Sequence, residues 1–359
     1  MNILYITKFF PPEYGGIETL SKNLCDFFYK KNNNVEVVCF SKKKTFVSKK
    51  HLYRVNYFKP FLTIFSTPVS LKIIIFLMKN FRKFDVIHLH TPNPLIELFL
   101  IFLPIKNLII SWGSDIINQK ILKFLFRPFQ LLLLKKSKKI ICLSKNYLNY
   151  SKDLKMFKHK TFIVPPITKS NFINITYNSK IKKINLVMVG RLVDYKGHDI
   201  AIRSMKFLPH NYSLSIIGNG PNKKKLLNLI LNLDLKKRIK LLDRIDNKLK
   251  IKILKKSSIF LMSSTSRAES FGIAILEAIS LGLPLIISKV QGSGMNDMII
   301  DNFNGYRYKN FSSFECAKKI MLATKSSSKL KKFSKNSFKL FNKKFNIEII
   351  EKKLNKIYN

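Results

Sequence analysis

Short apolar runs alternate with amphipathic stretches along the first half of the chain. An apolar run at 2–7 is followed by a turn that contains Gly15 and Gly16, by a stretch with apolar residues at helical spacing, and by a second apolar run at 35–40. This order of strand, turn, helix and strand predicts the opening of a βαβ unit with a parallel sheet. Further strands separated by helical stretches continue the doubly wound pattern, at 84–90, 107–112, 139–144 and 161–166.

The same pattern restarts after residues 165–183, a polar segment with Pro, Ser and Asn and no periodicity, which is typical of a linker. Five strands are predicted in this second half, at 184–190, 212–218, 239–242, 258–264 and 284–288. Four helices are predicted between them, at 197–208, 222–233, 247–256 and 272–281. The Lys-rich tail 329–359 has apolar residues at helical spacing and predicts one or two amphipathic helices.

Two successive patterns of this kind predict an α/β chain with two Rossmann-like, doubly wound domains facing a cleft. The length of 359 residues also favours two domains over one core. We expect an N-terminal domain over 1–176, a C-terminal domain over 177–335, and a final helix over 336–359 that packs back towards the first domain. Ligands of such sheets bind beyond the carboxyl ends of the strands.

The charge is strongly positive, with 66 Lys and Arg against 20 Asp and Glu, a formal net charge of +46. Three explanations are open. A cationic surface can bind nucleic acid by releasing counterions, it can bind an anionic membrane, or the excess can be compositional drift towards Lys. Because the excess is nearly all Lys and is spread along the whole chain, it differs from the clustered, Arg-containing surface of a dedicated nucleic-acid protein.

Cysteine spacing and apolar windows bear on the cellular location. The four cysteines show no CxxC spacing, which predicts buried thiols in a reducing compartment. No signal peptide is predicted at the N-terminus, and no apolar window reaches the roughly 18 residues of a spanning helix. We expect a cytoplasmic protein that at most lies on a membrane. The stretch 121–139, apolar with a terminal Lys cluster, predicts either a membrane-surface segment or an ordinary buried helix.

Two glutamates stand eight positions apart around an apolar helix. Glu269 lies in the loop before this helix, and Glu277 lies within it among apolar neighbours. Gly282 and Pro284 predict the end of the helix. A solvent-facing Glu277 is one interpretation, but its apolar flanks favour a partly buried carboxylate with a partner. The free N–H groups at the helix start form a ready anion site.

Two cations follow the first strand of the second half. Arg191 and Lys196 lie at its carboxyl end, where a strand–loop–helix turn with a guanidinium and an ammonium suits a diphosphate. Chance cations are common in a chain so rich in Lys, so this signal is weak by itself. The Gly-x-Gly turn at 218–220 is also weak, because glycine turns are the usual exit from such strands. Gly15 and Gly16 allow close approach of a phosphate or sugar, or form a plain turn.

His88 and His90 lie at a predicted strand end and, by alternation, share one face. No third ligand lies near them, so a metal site is not expected. The chain also contains no D-x-D sequence, and nothing therefore suggests a carboxylate-held metal that would carry a nucleotide diphosphate.

Taken together, these segments resemble the retaining glycosyltransferases of the GT-B fold, family 4. The resemblance covers nearly the whole chain and rests on PPEYGGIETLSKNL, GRLVDYKG, IIGNGP and, most specifically, the E-x7-E signature ESFGIAILE. The segments FDVIHLHTPNPLIEL and WGSDIINQK are similar to the mannosyl- and rhamnosyltransferase branch that builds lipopolysaccharide and other surface glycans. The resemblance implies an acceptor-binding first domain and a nucleotide-sugar-binding second domain.

The resemblance also implies roles for single residues. Arg191 and Lys196 would neutralise the donor diphosphate, Glu269 would bind the donor sugar, and Glu277 would bind the ribose. These roles make Glu269, Arg191 and Lys196 the expected catalytic residues. Three backbone segments would complete the donor site: Phe271, Gly272 and Ile273 at the helix start, Gly16 of the first domain against the diphosphate, and Ile245 near the base. Gly15, His88, His90 and Asp115 are the expected acceptor side.

The implied reaction moves a hexose from a nucleotide sugar to a lipid-linked or growing glycan, with retained configuration and without a metal or other cofactor. Fixed cations and helix N–H groups can stabilise the diphosphate leaving group. An anionic membrane surface is a further expected partner, and nucleic acid is not. One departure stands out: Trp112 and Gly113 occupy a segment where many members carry a histidine, which weakens any expectation of a catalytic histidine there. An epimerase-like GT-B enzyme or, from another class, a basic nucleic-acid-binding protein are the alternatives.

Overall fold

The computed structural model describes residues 1–13, 15–48, 50–64, 67–115, 120–168 and 183–358, without the side chains of 120–123. The chain forms two compact units, Met1–Ile167 together with Ile350–Asn359, and Thr168–Ile349. The predicted boundary between 176 and 177, like most of the predicted linker, lies outside the described residues.

The first unit is built around an eight-stranded sheet with the order β10-β9-β8-β7-β1-β2-β4-β3, in which only β3 runs antiparallel to its neighbour. A separate two-stranded hairpin is formed by β5 and β6. The elements are β1 Asn2–Ile6, α1 Gly16–Lys30, β2 Asn34–Phe40, β3 Phe46–Ser48, β4 Arg54–Phe58, β5 Leu62–Ile64, β6 Thr67–Val69, α2 Leu71–Asn80, β7 Val86–Thr91, α3 Pro94–Phe102, β8 Leu108–Trp112, α4 Lys120–Lys136, β9 Lys139–Cys142, α5 Lys145–Tyr150, α6 Lys152–Met156 and β10 Thr161–Ile163.

Both faces of this sheet are buried, which explains why its strands are continuous apolar runs. In β1, Ile3 and Tyr5 enter one core, and Leu4 and Ile6 enter the other. The first core contains side chains of α1, and the second contains side chains of α2, α3 and α4. Strand β7 lies near the middle of the sheet, and its residues are all buried.

The second unit contains a six-stranded, fully parallel sheet with the order β13-β12-β11-β14-β15-β16. Its elements are β11 Ile184–Val189, α7 His198–Ser204, β12 Tyr212–Ile217, α8 Lys223–Asn232, β13 Ile239–Leu242, α9 Asn247–Lys255, β14 Ile259–Met262, α10 Ile273–Ser280, β15 Leu285–Ser288, β16 Gly305–Tyr308, α11 Ser313–Ala323 and α12 Ser327–Phe345. The order of strands reverses beside β11, the point at which open α/β sheets bind ligands.

The C-terminal tail forms two helices, α12 and then α13 Ile347–Tyr358, and they belong to different units. Helix α12 stays with the second unit, where Ser337 Oγ donates to the Leu283 carbonyl at 2.8 Å. The residues of α13 from Ile350 onward lie in the first unit, in the core beside Tyr5. The second unit thus continues to Ile349 rather than ending at 335, because α12 is one uninterrupted helix with a buried apolar stripe.

The strands and helices predicted in both halves are present, with ends that differ by a few residues. Five short strands were not anticipated: β3 to β6 and β16. All four cysteines are buried and free. Among the described residues, no helix is long and apolar enough to cross a bilayer.

Candidate functional site

Lys196 and Glu269 form a buried ion pair at the carboxyl ends of two neighbouring strands. Lys196 ends a short 3-10 helix in the loop after β11, and Glu269 lies in the loop after β14. The ammonium of Lys196 donates to Glu269 Oε2, and the Ser264 hydroxyl donates to the same oxygen at 3.3 Å. The two charged side chains are only 12% and 10% exposed. Residues 73 positions apart in sequence are therefore brought into direct contact.

The electrostatics of the pair keep Lys196 charged. Burial by itself would lower the pKa of Lys196, but the Glu269 carboxylate and Tyr195 raise it, with a net shift above its ordinary value. Arg191 lies near enough to oppose this shift. Its side chain is exposed and makes no hydrogen bond or ion pair among the described residues. The loop after β11 thus presents one buried cation and one solvent-facing cation.

Glycines set the close packing of the loops around this pair. Gly197 has a φ of 62°, and a Cβ there would lie 2.1 Å from the Ser263 carbonyl oxygen. A side chain at that position would therefore push the Lys196 loop away from the Glu269 loop. In the predicted Gly-x-Gly turn, a Cβ on Gly218 would lie 1.9 Å from the Gly190 carbonyl oxygen. Gly218 thus serves the packing of two backbones, which accounts for it without a ligand.

Helix α10 begins at Ile273, one residue later than predicted. Gly272 precedes it with a φ of 92°, in the left-handed region that favours glycine. The backbone N–H groups of Phe271, Gly272 and Ile273 donate to no acceptor within the part of the chain described. At the other end, Gly282 adopts a φ of 78°. It closes the helix through hydrogen bonds from Gly282 N to Ile279 O, 3.0 Å, and Leu283 N to Ala278 O, 2.9 Å.

Glu277 is half-buried and has a partner, as its apolar flanks predict. Its two carboxylate oxygens each accept from Lys250 Nζ, at 2.9 Å. Lys250 lies on α9, directly after the loop that contains Ile245. The Asp246 side chain caps this helix by accepting from Leu249 N at 2.8 Å. The loop of Ile245 and the Glu277 carboxylate are thus connected through one short helix.

The predicted acceptor-side residues lie in the first unit, and two of them are fully engaged by its core. Nε2 of His88 lies 2.7 Å from Ser111 Oγ, and its Nδ1 contacts the Tyr358 hydroxyl. Burial and the neighbouring His90 lower the pKa of His88 to about 3. Asp115 accepts hydrogen bonds from Trp112 Nε1 at 2.9 Å and from Ser151 Oγ at 2.8 Å. These contacts indicate structural roles for both residues.

His90 differs from His88 because neither ring nitrogen has a partner within the described part of the chain, although the side chain is buried. Burial lowers its pKa to about 4, so the ring is neutral at physiological pH. Gly113 packs against the ring, since a Cβ there would lie 2.8 Å from His90 Nε2. Gly113, in the segment that departs from the family pattern, therefore allows the backbone to approach the imidazole closely.

Gly15 and Gly16 lie where predicted, at the start of α1 after the first strand. Gly15 precedes the helix in an extended conformation with a φ of 175°, and its carbonyl accepts from the Thr19 hydroxyl at 2.9 Å. Gly16 is exposed. Both glycines therefore form a tight, solvent-accessible entry into the helix.

Three polar side chains of interest were not identified from the sequence. Lys250 is one lysine among many, and only the fold shows its pairing with Glu277. His198 follows Gly197, is buried, and its Nε2 has no partner in the described residues; burial and Lys196 lower its pKa to about 3. Asn93, three residues after His90, is buried with its amide nitrogen and oxygen also without partners there. For His198 and Asn93, the available sequence signal was a polar residue flanked by apolar or turn residues.

Within the described residues, no group of three or more His, Cys, Asp and Glu side chains could hold a metal ion.

Two family models match the chain, one for each half. The model described as glycosyl transferases group 1 matches residues 172–340. The model described as Glycosyltransferase Family 4 matches residues 14–168. Together they cover nearly the whole chain, in agreement with the resemblance inferred from its motifs.

Relatives of known name match over much of their length. The O-antigen chain mannosyltransferase C of Escherichia coli is 27% identical over 327 residues, which cover 85% of this chain and 84% of that protein. The D-rhamnosyltransferase WbpZ of Pseudomonas aeruginosa is 27% identical over 257 residues, covering 68% of this chain and 65% of that protein.

Solved structures share the whole fold. The crystal structure of Anabaena HepE in complex with UDP and glucose aligns with a TM-score of 0.80 at 17% identity, covering 99% of this chain and 98% of that one. The lipopolysaccharide outer core galactosyltransferase WaaB aligns with a TM-score of 0.72 at 18% identity, covering 100% and 99%. These alignments show that the two Rossmann-like units together form a GT-B fold.

Proposed function

Because the chain belongs to the group 1 and family 4 glycosyltransferases, we propose that it moves a hexose from a nucleotide sugar to a lipid-linked or growing glycan. The proposed setting is the synthesis of lipopolysaccharide or another surface polysaccharide. The names of the relatives support this setting, since the two described above are an O-antigen mannosyltransferase and a rhamnosyltransferase. The HepE structure, which contains UDP and glucose, supports a nucleotide-sugar donor.

The observation that carries the proposal is the Lys196–Glu269 pair beside the open start of α10. A buried cation, the exposed guanidinium of Arg191 and three backbone N–H groups that donate to no described acceptor lie at the carboxyl ends of adjacent strands. A diphosphate is the ligand class that needs several fixed positive charges and donors at once. Glu269, held by Lys196 and Ser264, supplies an acceptor for sugar hydroxyls next to those donors.

The proposed chemistry follows from where charge develops. As the anomeric bond breaks, negative charge grows on the diphosphate and positive charge on the sugar ring. Arg191, Lys196 and the N–H groups before α10 stabilise the leaving group, and the Glu269 carboxylate binds the sugar. Glu277, positioned by Lys250, binds the ribose, and the main chain at Ile245 lies near the base. No bound metal is needed in this scheme, and configuration is retained if the leaving phosphate takes the proton of an acceptor attacking on the same face.

For the acceptor we propose His90 as the principal contact. Its ring is buried, neutral and without a partner in the described residues, whereas His88 and Asp115 are held by neighbouring side chains. A neutral imidazole offers one donor and one acceptor, which suits a hydroxyl group. Asn93, with both amide atoms free in the described part of the chain, adds a further donor and acceptor. Gly15 and Gly16 remain proposed contacts for the acceptor and the diphosphate.

A donor panel tests the proposed reaction. The protein is incubated with GDP-, UDP- and dTDP-hexoses, with and without a lipid-linked glycan acceptor, and the products are analysed by NMR. We expect one donor to be consumed only when acceptor is present, with the anomeric configuration retained. The variant His90→Gln is expected to keep donor binding and lose acceptor-dependent turnover, and His210→Gln, at an exposed position, serves as its control.

Two outcomes of this panel contradict the proposal. An epimerised nucleotide sugar that forms without acceptor would indicate a GT-B enzyme of another class. Failure to bind any donor, combined with tight and salt-steep binding to duplex DNA or RNA, would indicate a basic nucleic-acid-binding protein.

A further inference from the structure

One layer of the first unit leaves many large apolar side chains in solvent. The layer consists of the β5–β6 hairpin, α2, the end of α3, and α4. Each of these side chains is at least 39% exposed, and Phe124 reaches 80%. We call them the apolar face: Phe61, Leu62, Ile64, Leu71, Ile75, Met78, Phe102, Phe124, Leu125, Phe129 and Leu132. Scattered single apolar residues are normal on a surface, whereas a concentration on adjoining elements marks an interaction site.

The helices of this layer are apolar on both sides. In α4, Leu125, Phe129 and Leu132 follow helical spacing on the exposed side, while Leu133 and Leu134 enter the core. Helix α4 therefore has one apolar side buried in the core and one apolar side exposed.

Helix α2 repeats the arrangement. Leu71, Ile75 and Met78 form an exposed stripe with the same spacing, and Ile73 and Leu77 are buried in the core. A helix with apolar side chains on two opposite sides normally has apolar surroundings on both of those sides. In α2 and α4, only the side that faces the core has apolar surroundings within the part of the protein that the structure describes.

The charges around the apolar face are almost all positive. Among the described residues between 59 and 139, the acids are Asp85, Glu97 and Asp115, and only Asp85 is exposed. The exposed cations of the same segment that make no ion pair there are Lys59, Lys72, Lys79, Arg82, Lys83, Lys106, Lys135 and Lys138. A second copy of the chain would bring the same cations to the contact and be repelled. A lipid bilayer with an apolar interior and negatively charged headgroups complements both the exposed apolar side chains and the surrounding cations.

We propose that the apolar face docks the protein on an anionic lipid bilayer without crossing it. The exposed stripes of α2 and α4 would enter the boundary between headgroups and acyl chains, and the surrounding lysines would contact lipid phosphates. The proposal uses none of the donor-site residues and stands apart from the proposed reaction.

Sedimentation with vesicles tests the docking. Vesicles of phosphatidylcholine are compared with vesicles in which a third of the lipid is phosphatidylglycerol, from about 0.05 M to about 0.5 M NaCl. We expect the full-length protein to pellet with the anionic vesicles and to be released as salt rises, and to remain in solution with neutral vesicles.

Matched variants locate the surface. The double substitution Leu125→Ser with Leu132→Ser is expected to weaken binding at least tenfold. Its control is Leu227→Ser with Leu231→Ser, on α8 of the other unit, where the leucines are 41% and 55% exposed. For the charges, Lys72→Glu with Lys79→Glu is expected to weaken binding by on the order of fivefold per lysine. Lys236→Glu with Lys237→Glu, both exposed lysines, makes the same change of net charge elsewhere.

Several results would overturn the docking proposal. One is a protein that stays in solution with anionic vesicles at low salt; another is an equal loss in each variant and its control. A third concerns the oligomeric state, measured by analytical ultracentrifugation. If the wild type is a dimer and the α4 double variant is a monomer, the apolar face joins two copies of the chain instead of docking on a bilayer. Circular dichroism and thermal unfolding show that each variant is folded. Neither measurement depends on nucleotide binding, so a negative donor panel would leave these results unaffected.

Discussion

At the residue scale, Glu269 and Glu277 have different partners, and we predict different consequences of replacing them. Glu269→Gln removes the carboxylate held by Lys196 and Ser264. It should lower turnover by on the order of a hundredfold with little change in the affinity for nucleoside diphosphate. Glu277→Ala leaves Lys250 unpaired and should weaken that affinity about tenfold. Initial rates and isothermal titration calorimetry measure the two effects.

The exposed Glu348 provides the controls for both carboxylates, as Glu348→Gln and Glu348→Ala, and neither change should alter rate or affinity. Equal nucleotide affinity in Glu277→Ala and wild type would contradict a ribose-binding role. Unchanged turnover in Glu269→Gln would contradict a sugar-binding role.

At the element scale, β7 carries two histidines that are neutral when folded, and we predict acid sensitivity from them. Burial lowers the pKa of His88 to about 3 and of His90 to about 4, against about 6.5 in an unfolded chain. The unfolded state thus binds more protons below pH 6.5, so this contribution to stability is complete above that pH and is lost as pH falls towards 4. The free energy of unfolding should fall by up to roughly 1.4 kcal/mol per pH unit for each histidine.

Urea denaturation between pH 6.5 and pH 4.5, above the range where most carboxylates titrate, measures this slope. His90→Gln should make it shallower by about one proton, and His210→Gln, at an exposed position, should leave it unchanged. An unchanged slope in His90→Gln would show that His90 is not neutral and buried in the folded protein.

At the scale of the whole molecule, a net charge of +46 must repel itself in the compact state. We therefore predict that Tm rises by at least a few degrees between about 0.02 M and about 0.3 M NaCl, as the Debye length shortens to below 10 Å. The same salt should release the protein from anionic vesicles, so stability and membrane binding should respond in opposite directions. Differential scanning calorimetry measures Tm, and a Tm that stays constant or falls would mean that the lysines are too far apart to repel one another.

Periodicity along the chain was sufficient to predict most of the strands and helices, because strands buried on both faces and amphipathic helices repeat over several residues. The five strands that it missed are short, and three of them, β3, β5 and β6, contain only three residues each. The end of the second unit was also missed, since the amphipathic pattern of the tail is the same whichever sheet each helix covers.

The sequence alone therefore determined the fold class, the two-unit organisation, the family resemblance and the position of Glu269 before an apolar helix, because each depends on residues that are neighbours in the chain. Only the tertiary structure decided which side chains meet. It paired Lys196 with Glu269 and Lys250 with Glu277, and it occupied both nitrogens of His88 but neither of those of His90 within the described residues. It also placed the leucines of α4 on opposite sides of the helix, so that some lie in the core and others in solvent. Such outcomes depend on distances between residues that are remote in sequence. In a chain with 66 Lys and Arg, no local pattern distinguishes the few cations that acquire a buried partner from the many that remain in water.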